Sequence, residues 1–252
     1  MVLRFFLGTI FMMGFHNMDI PPRGLLTFLH FDKILSVKSC ESEESEIGRG
    51  NLVKWEEWDI MNVNVFLFDD FNSMDVFGPV EVFGKLPEHF HINYWSVSGN
   101  IINSSQGAKL WTEPVDEEME NGILLIPGGR GARRVIHHER ETIELLQKLV
   151  SNADTCLMVA DGSGFLAQTG VLYRRNIAEY KMNENWKRMF TAAVYWIPNV
   201  SWVADGKFYS SSSSLYGIDM ALGVVADLID IDAANKAAEA MGYTWKQELG
   251  FF

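Results

Sequence analysis

Positive charge is in short supply in this chain. Lys and Arg number 21 against 33 Asp and Glu in 252 residues, a formal net charge of −12. Gripping a phosphate backbone takes clustered Lys and Arg that displace counterions, so nucleic acid is not the expected partner, and neither is an anionic membrane surface. Cysteine is nearly absent: Cys40 and Cys156 are far apart and in unlike surroundings. They form no disulfide framework and no zinc site, and they point to a reducing cytoplasm. The N-terminal apolar stretch, Val2 to Phe15, is shorter than the roughly 20 residues a membrane helix needs. It resembles the start of an export signal, but His16-Asn17-Met18-Asp19 follows without a small-residue cleavage site. No internal repeat is present.

What is present suits a globular fold, with 48% hydrophobic and 21% charged residues. The length allows one large α/β domain. Residues 1–60 stand apart from the rest. Pro21-Pro22, a patchy apolar segment and the acidic, serine-rich run Glu41 to Glu46 read as a poorly ordered extension. The domain proper is expected over 61–248.

From Asn62 the sequence alternates strand and helix signals, the pattern of a parallel sheet covered on both faces. Val63 to Phe68 reads as a strand, Met74 to Phe83 as a helix, Ile92 to Val97 as a strand and Lys109-Leu110-Trp111 as a weak extended segment. Ile123 to Ile126 reads as a buried strand and Glu141 to Val150 as an amphipathic helix. Cys156 to Ala160 is a further apolar strand, breaking at Asp161-Gly162-Ser163-Gly164 into a helical pattern. That is how a nucleophile elbow reads. Two short strands follow around Asp205-Gly206, then helices from Gly217 through Leu228 and from Asp232 to Met241.

Ligands of open α/β sheets bind beyond the carboxyl ends of the strands, where three loops carry chemistry. In Pro127 to Gly131, Gly128-Gly129 lets backbone N–H groups approach an anionic oxygen, as in an oxyanion hole; a tight turn without a ligand is the alternative. Asp75 is placed to act as an acid or base, or simply to complement a helix dipole. Asp161 is placed to pair with Asp75, which would drive the two pKa values apart, or to cap the helix that follows it. No histidine lies in these loops, so no metal is expected.

Five blocks in order carry a family resemblance: Asp75-Val76-Phe77-Gly78-Pro79-Val80-Glu81-Val82-Phe83, Leu124-Leu125-Ile126-Pro127-Gly128-Gly129-Arg130-Gly131, Leu166-Ala167-Gln168-Thr169-Gly170-Val171-Leu172, Trp202 to Tyr209, and Gly217-Ile218-Asp219-Met220-Ala221-Leu222-Gly223. Between about Asn62 and Trp245 the chain resembles the DJ-1/PfpI superfamily, class I glutamine-amidotransferase-like proteins, in its isonitrile-hydratase-like branch. The resemblance implies a flavodoxin-like three-layer α/β sandwich with a mainly parallel sheet, no cofactor, a cytoplasmic location and a homodimer.

Active members of this branch resemble Val-Cys-Thr-Gly at the elbow. Ungapped counting back from Leu166 to Gly170 puts Ala160 at the cysteine and Asp161 at the threonine. Cys156 lies inside the strand, where it reads as a small core residue. In the serine run the family pattern places glycine, serine and alanine where this chain has Ser213, Leu215 and Tyr216; Ser211 is kept. Leu215 and Tyr216 are expected to reshape or fill the pocket. The resemblance therefore implies a ligand pocket of Asp75, Gly128, Gly129, Asp161, Gly162, Ser211 and Tyr216. It implies a small-molecule-binding or regulatory protein without cysteine-dependent catalysis. The alternative is a hydratase or lyase using Asp75 and Asp161 with water as the nucleophile.

Trp55-Glu56-Glu57 must be encoded by a purine-rich run a few codons before Met61, the spacing of a bacterial ribosome-binding site. Protein made from the native gene is accordingly expected to begin at Met61. Intact-mass and N-terminal peptide mass spectrometry checks this, and peptides from Val2 to Trp58 would refute it.

Overall fold

The computed structural model describes residues 60–115, 119, 121–180 and 194–247, all within the unit Glu56–Phe252. The expectations for residues 1–59 and for the end of the domain at 248 lie outside the described residues.

The continuous apolar runs become the centre of the sheet. Strands β5 (Gly122–Ile126) and β6 (Thr155–Val159) are buried at every residue, the burial that a parallel strand covered on both faces requires. Around them an eight-stranded sheet runs in the order β3-β4-β2-β1-β5-β6-β10-β9. The other strands are β1 (Met61–Phe66), β2 (Phe90–Ser96), β3 (Asn100–Asn103), β4 (Lys109–Pro114), β9 (Trp202–Asp205) and β10 (Phe208–Ser211). Pairing is parallel except for β3 with β4 and β9 with β10, at the two edges. The short strands β7 (Asn176–Ala178) and β8 (Tyr195–Ile197) form a separate parallel pair.

Six helices flank the sheet among the described residues: α1 (Ser73–Gly84), α2 (Arg130–His138), α3 (Arg140–Asn152), α4 (Gly162–Ala167), α5 (Tyr216–Leu228) and α6 (Ile231–Ala240). Helix α5 packs against α1 and α6, whereas α2 packs against α3 and α4. The result is the expected flavodoxin-like sandwich. The sequence pattern missed α2, β3, β7 and β8: α2 sets the buried Ala132 and Val135 among three arginines, β3 has two isoleucines between two asparagines, and β7 and β8 are three residues each, so none shows a usable period. No helix among the described residues is long and apolar enough to cross a membrane.

Two contacts fix the β10–β9 end of the sheet. Lys207 Nζ donates to the carbonyls of Val150 (2.6 Å) and Ala153 (2.8 Å), satisfying acceptors that the end of α3 leaves open. Trp202, 1% exposed, lies over α5 at Gly223, where an added Cβ would meet ring carbons at 2.6 and 2.7 Å. Gly223→Ala gains about 1 kcal/mol in helix propensity but overpacks a locked indole, at a cost of about 2–3 kcal/mol. A net loss of about 1–2 kcal/mol in urea unfolding is expected; a variant more stable than the wild type would contradict this packing.

Candidate functional site

The carboxyl ends of β1, β5, β6 and β10 bring four loops together. Asn72 N donates to Gly128 O at 2.9 Å, and Ala160 N donates to Ser211 O at 3.1 Å, tying the β1 loop to the β5 loop and the β6 loop to β10. Asn72 caps α1, accepting from Met74 N. Its Nδ2 donates to Asp75 Oδ1 (2.9 Å) and to Ser214 Oγ (3.0 Å). The cap therefore also orients the carboxylate one turn into the helix.

Ala160 has φ +50° and is 2% exposed. A residue with a Cβ is disfavoured in the left-handed region, by about 1 kcal/mol, and the surroundings hold it there. Its carbonyl accepts from Ser163 Oγ (2.8 Å), and a Cβ on Gly162 would overlap Ile126 O and stand 3.0 Å from the Pro127 carbonyl carbon. The strand thus turns at Ala160, one residue before Asp161, with Gly162 allowing the new helix to pass close to the β5 loop.

Two carboxylates share the glycine loop. Gly128 N donates to Asp75 Oδ2 (2.9 Å) and Gly129 N donates to Asp161 Oδ1 (3.1 Å). A Cβ at Gly128 would overlap Asp161 Oδ1 and lie 2.9 Å from Asp75 Oδ2, so the side chains meet over that Cα. Gly129 has φ +145°, and a Cβ there would overlap Asp70 O and come within 2.7 Å of Phe71 Cα. Only glycine serves at either place.

Three expectations are corrected by this arrangement. Asp161 stands at the N-cap of α4 but makes no side-chain cap bond; its carboxylate is drawn to the Gly129 N–H instead. The Gly128 and Gly129 N–H groups, expected to face an incoming oxygen, already hold the protein's own carboxylates. Leu215 and Tyr216 are 65% and 38% exposed, because they open α5 at its solvent end and do not fill a pocket. Ser211 is buried, with its hydroxyl turned to Ser213 O.

Burial dominates the electrostatics. It raises the pKa of Asp75 to about 7; Ser214 opposes the rise by hydrogen bonding, the charge of Asp161 adds to it, and the Gly128 N–H opposes it. Asp161 is also raised by burial, against the hydrogen bond from Gly129 and the charge of Arg133. Tyr180, raised by burial and then by Asp161 and Asp75, joins the same field. Cys156 is fully buried and pushed up to about 12, which removes it as a thiolate nucleophile. Among the described residues no group of three or more His, Cys, Asp or Glu could hold a metal.

Asn72, Ser214, Tyr180 and Arg133 are site residues that the sequence pattern does not single out. Asn72 carries a signal, since an Asn three residues before an Asp at a helix start is capping chemistry. The other three are placed only by tertiary contact.

The raised pKa of Asp75 has a definite sign. The fold favours the protonated form, so the associated stability is full below the unfolded pKa, near 3.8, and is lost as pH rises to about 7. Stability from this group should fall by about 2 kcal/mol between about pH 5.5 and 7.5. Asp75→Asn should remove that part of the slope. Urea unfolding at both pH values measures it, and an identical slope in the two proteins would contradict the assignment.

Comparison with known proteins places this geometry in a family. The DJ-1/PfpI family model matches residues 61–227. The isonitrile hydratase of Pseudomonas putida is 23% identical over 178 residues, covering 69% of this chain and 75% of that protein. A ThiJ/PfpI family protein from Pseudomonas syringae superposes with a TM-score of 0.67 at 20% identity, covering 82% of this chain and 85% of the other. An AraC family transcriptional regulator from Pseudomonas putida gives a TM-score of 0.61 at 18% identity, covering 72% and 99%. With the family model spanning the sheet from β1 almost to the end of α5, the chain belongs to the DJ-1/PfpI family.

Proposed function

We propose that this protein works without the cysteine chemistry of its family and binds a small molecule at the loops that carry Asp75, Gly128, Gly129, Asp161, Gly162, Ser211 and Tyr216, as a sensor or regulatory component in the cytoplasm. The observation that carries this reading is Ala160 at the apex of the elbow, with φ +50°. A methyl group there has no lone pair to attack with. The occupied N–H groups of Gly128 and Gly129 support it, since donors already bonded to carboxylates are not free for a developing oxyanion. The net charge of −12 argues for a small-molecule ligand over a nucleic acid or a membrane.

A second reading rests on the carboxylate pair. Asp75, with a pKa of about 7, retains a proton near neutrality and could protonate a substrate. Asp161 is held against it and would activate water as the base. That is hydratase or lyase chemistry, and the relative from Pseudomonas putida is an isonitrile hydratase.

The two readings separate in one assay. The wild type is incubated with an aliphatic isonitrile while formation of the N-substituted formamide is followed by mass spectrometry, alongside a thermal-shift screen of metabolites. The expected result is no formamide above the buffer rate, with stabilisation by one metabolite that weakens at least about tenfold in apparent affinity, about 1.4 kcal/mol, in Asp161→Asn. Formamide production that vanishes in Asp161→Asn would overturn the binding reading in favour of the second.

A further inference from the structure

Strand β10 runs into a row of five serines, Ser210 to Ser214, and from there into α5. It is parallel to β6, and Ala160 N donates to Ser211 O, so this second strand-to-helix turn lies beside the elbow whose apex is Ala160. Four of the five hydroxyls serve the backbone. Ser210 Oγ accepts from Ala178 N (2.9 Å), Ser211 Oγ donates to Ser213 O (3.1 Å), Ser212 Oγ donates to Ser201 O (3.1 Å) and Ser213 Oγ accepts from Tyr216 N (3.5 Å). Among the described residues, only Ser214 of the five is engaged by side chains.

Ser214 Oγ accepts from Asn72 Nδ2 at 3.0 Å. Ser214 also hydrogen-bonds Asp75 in the sense that favours the ionised carboxylate, which makes the hydroxyl the donor. Asn72 Nδ2 donates to Asp75 Oδ1 at 2.9 Å as well, and Gly128 N holds the other carboxylate oxygen. A hydroxyl, a carboxylate able to take its proton and an amide that fixes both are the parts of a nucleophile, a base and an orienting group. Ser214 is half-buried and Asp75 fully buried, so a substrate meets the hydroxyl and not the base. Helix α5 starts two residues after Ser214, and its N-cap, Leu215, makes no side-chain cap bond. The positive end of the helix is therefore left for developing negative charge.

We propose that Ser214 is a nucleophile, with Asp75 as its general base and Asn72 as their positioning residue, and that it accepts the acyl group of an uncharged carboxylic ester. Asp75 and Asp161 repel an anionic substrate, whereas Leu215 and Tyr216, exposed next to Ser214, offer apolar surface to an acyl chain. Oγ bonds to the acyl carbon as the hydroxyl proton passes to the Asp75 carboxylate. The ester C–O bond then breaks, and the departing alkoxide takes that proton. Water repeats the sequence with Asp75 as base, releasing the acid and restoring Ser214. These steps use no thiol and no free Gly128 or Gly129 N–H, so they stand whether or not a metabolite binds at the same loops.

Labelling of the full chain by a fluorophosphonate and turnover of p-nitrophenyl acetate test the assignment. Peptide mass spectrometry locates the label, and far-UV circular dichroism confirms that each variant is folded. The label is expected on Ser214, at a rate that rises with pH through about 7 as Asp75 ionises. Ser214→Ala should lose both label and turnover, and Asp75→Asn should slow both at least about 100-fold. Asn72→Ser keeps a capping oxygen but removes a donor to ionised Asp75, so the midpoint of the pH profile should move upward. The proposal is overturned by no reaction with either reagent, a label on another residue or a rate independent of pH. Asp75→Asn reacting like the wild type, or an unmoved midpoint in Asn72→Ser, would overturn it equally.

Discussion

Two carboxylates sit against adjacent backbone N–H groups at the carboxyl end of a parallel sheet, and much of the site follows from that contact. Gly128 and Gly129 each donate to one carboxylate, Asp75 and Asp161. The side chains meet over a Cα that carries no methyl. Burying charge is costly without hydrogen bonds, so the glycine loop, the Asn72 cap and Ser214 form the minimum that allows Asp75 to be fully buried. Even so, desolvation wins over these hydrogen bonds, and Asp75 holds its proton into the neutral range. The site is thereby an acid and its neighbour, rather than an empty anion hole.

The elbow owes its shape to backbone contacts. Ala160 keeps a left-handed backbone that a Cβ disfavours, held by Ser163 and by the close passage of Gly162 past Ile126 and Pro127. This strain belongs to the turn itself, so it remains whatever side chain the apex carries. Asp161 is the residue next to that apex. Its carboxylate reaches the Gly129 N–H and so couples the elbow strand to the glycine loop through a side chain, in addition to the backbone. Displacing Asp161 would leave the Gly129 N–H in need of another acceptor.

Much of this architecture is legible in the order of residues. The apolar runs over Ile123–Ile126 and Cys156–Ala160 become fully buried central strands because a strand covered on both faces must be apolar throughout. The Asp205-Gly206 turn lies between two antiparallel strands, as its residues require, and the break at Asp161-Gly162 is an elbow. The pairing of Asp75 with Asp161 is one of two arrangements that the sequence leaves open for residues placed at the same edge, with Asp75 in the first turn of α1 and Asp161 at the elbow. Helix α2 and strands β3, β7 and β8 are not legible, since none carries a usable apolar period, and each depends on what it packs against or pairs with.

The sequence by itself determined the family scaffold, the order of its elements and the alanine at the turn, because these depend on residue type and local spacing. Only the tertiary structure decided where the polar side chains point. Whether Asp161 caps its own helix or reaches across to Gly129, whether Gly128 and Gly129 face solvent or a carboxylate, and whether Leu215 and Tyr216 fill a pocket or project outward are all contests between a local partner and a distant one. Their outcome depends on loops far apart in the chain meeting at one edge of the sheet. A local pattern cannot reveal that outcome, since the competing donor lies 32 residues away for Asp161 and 53 residues away for Asp75.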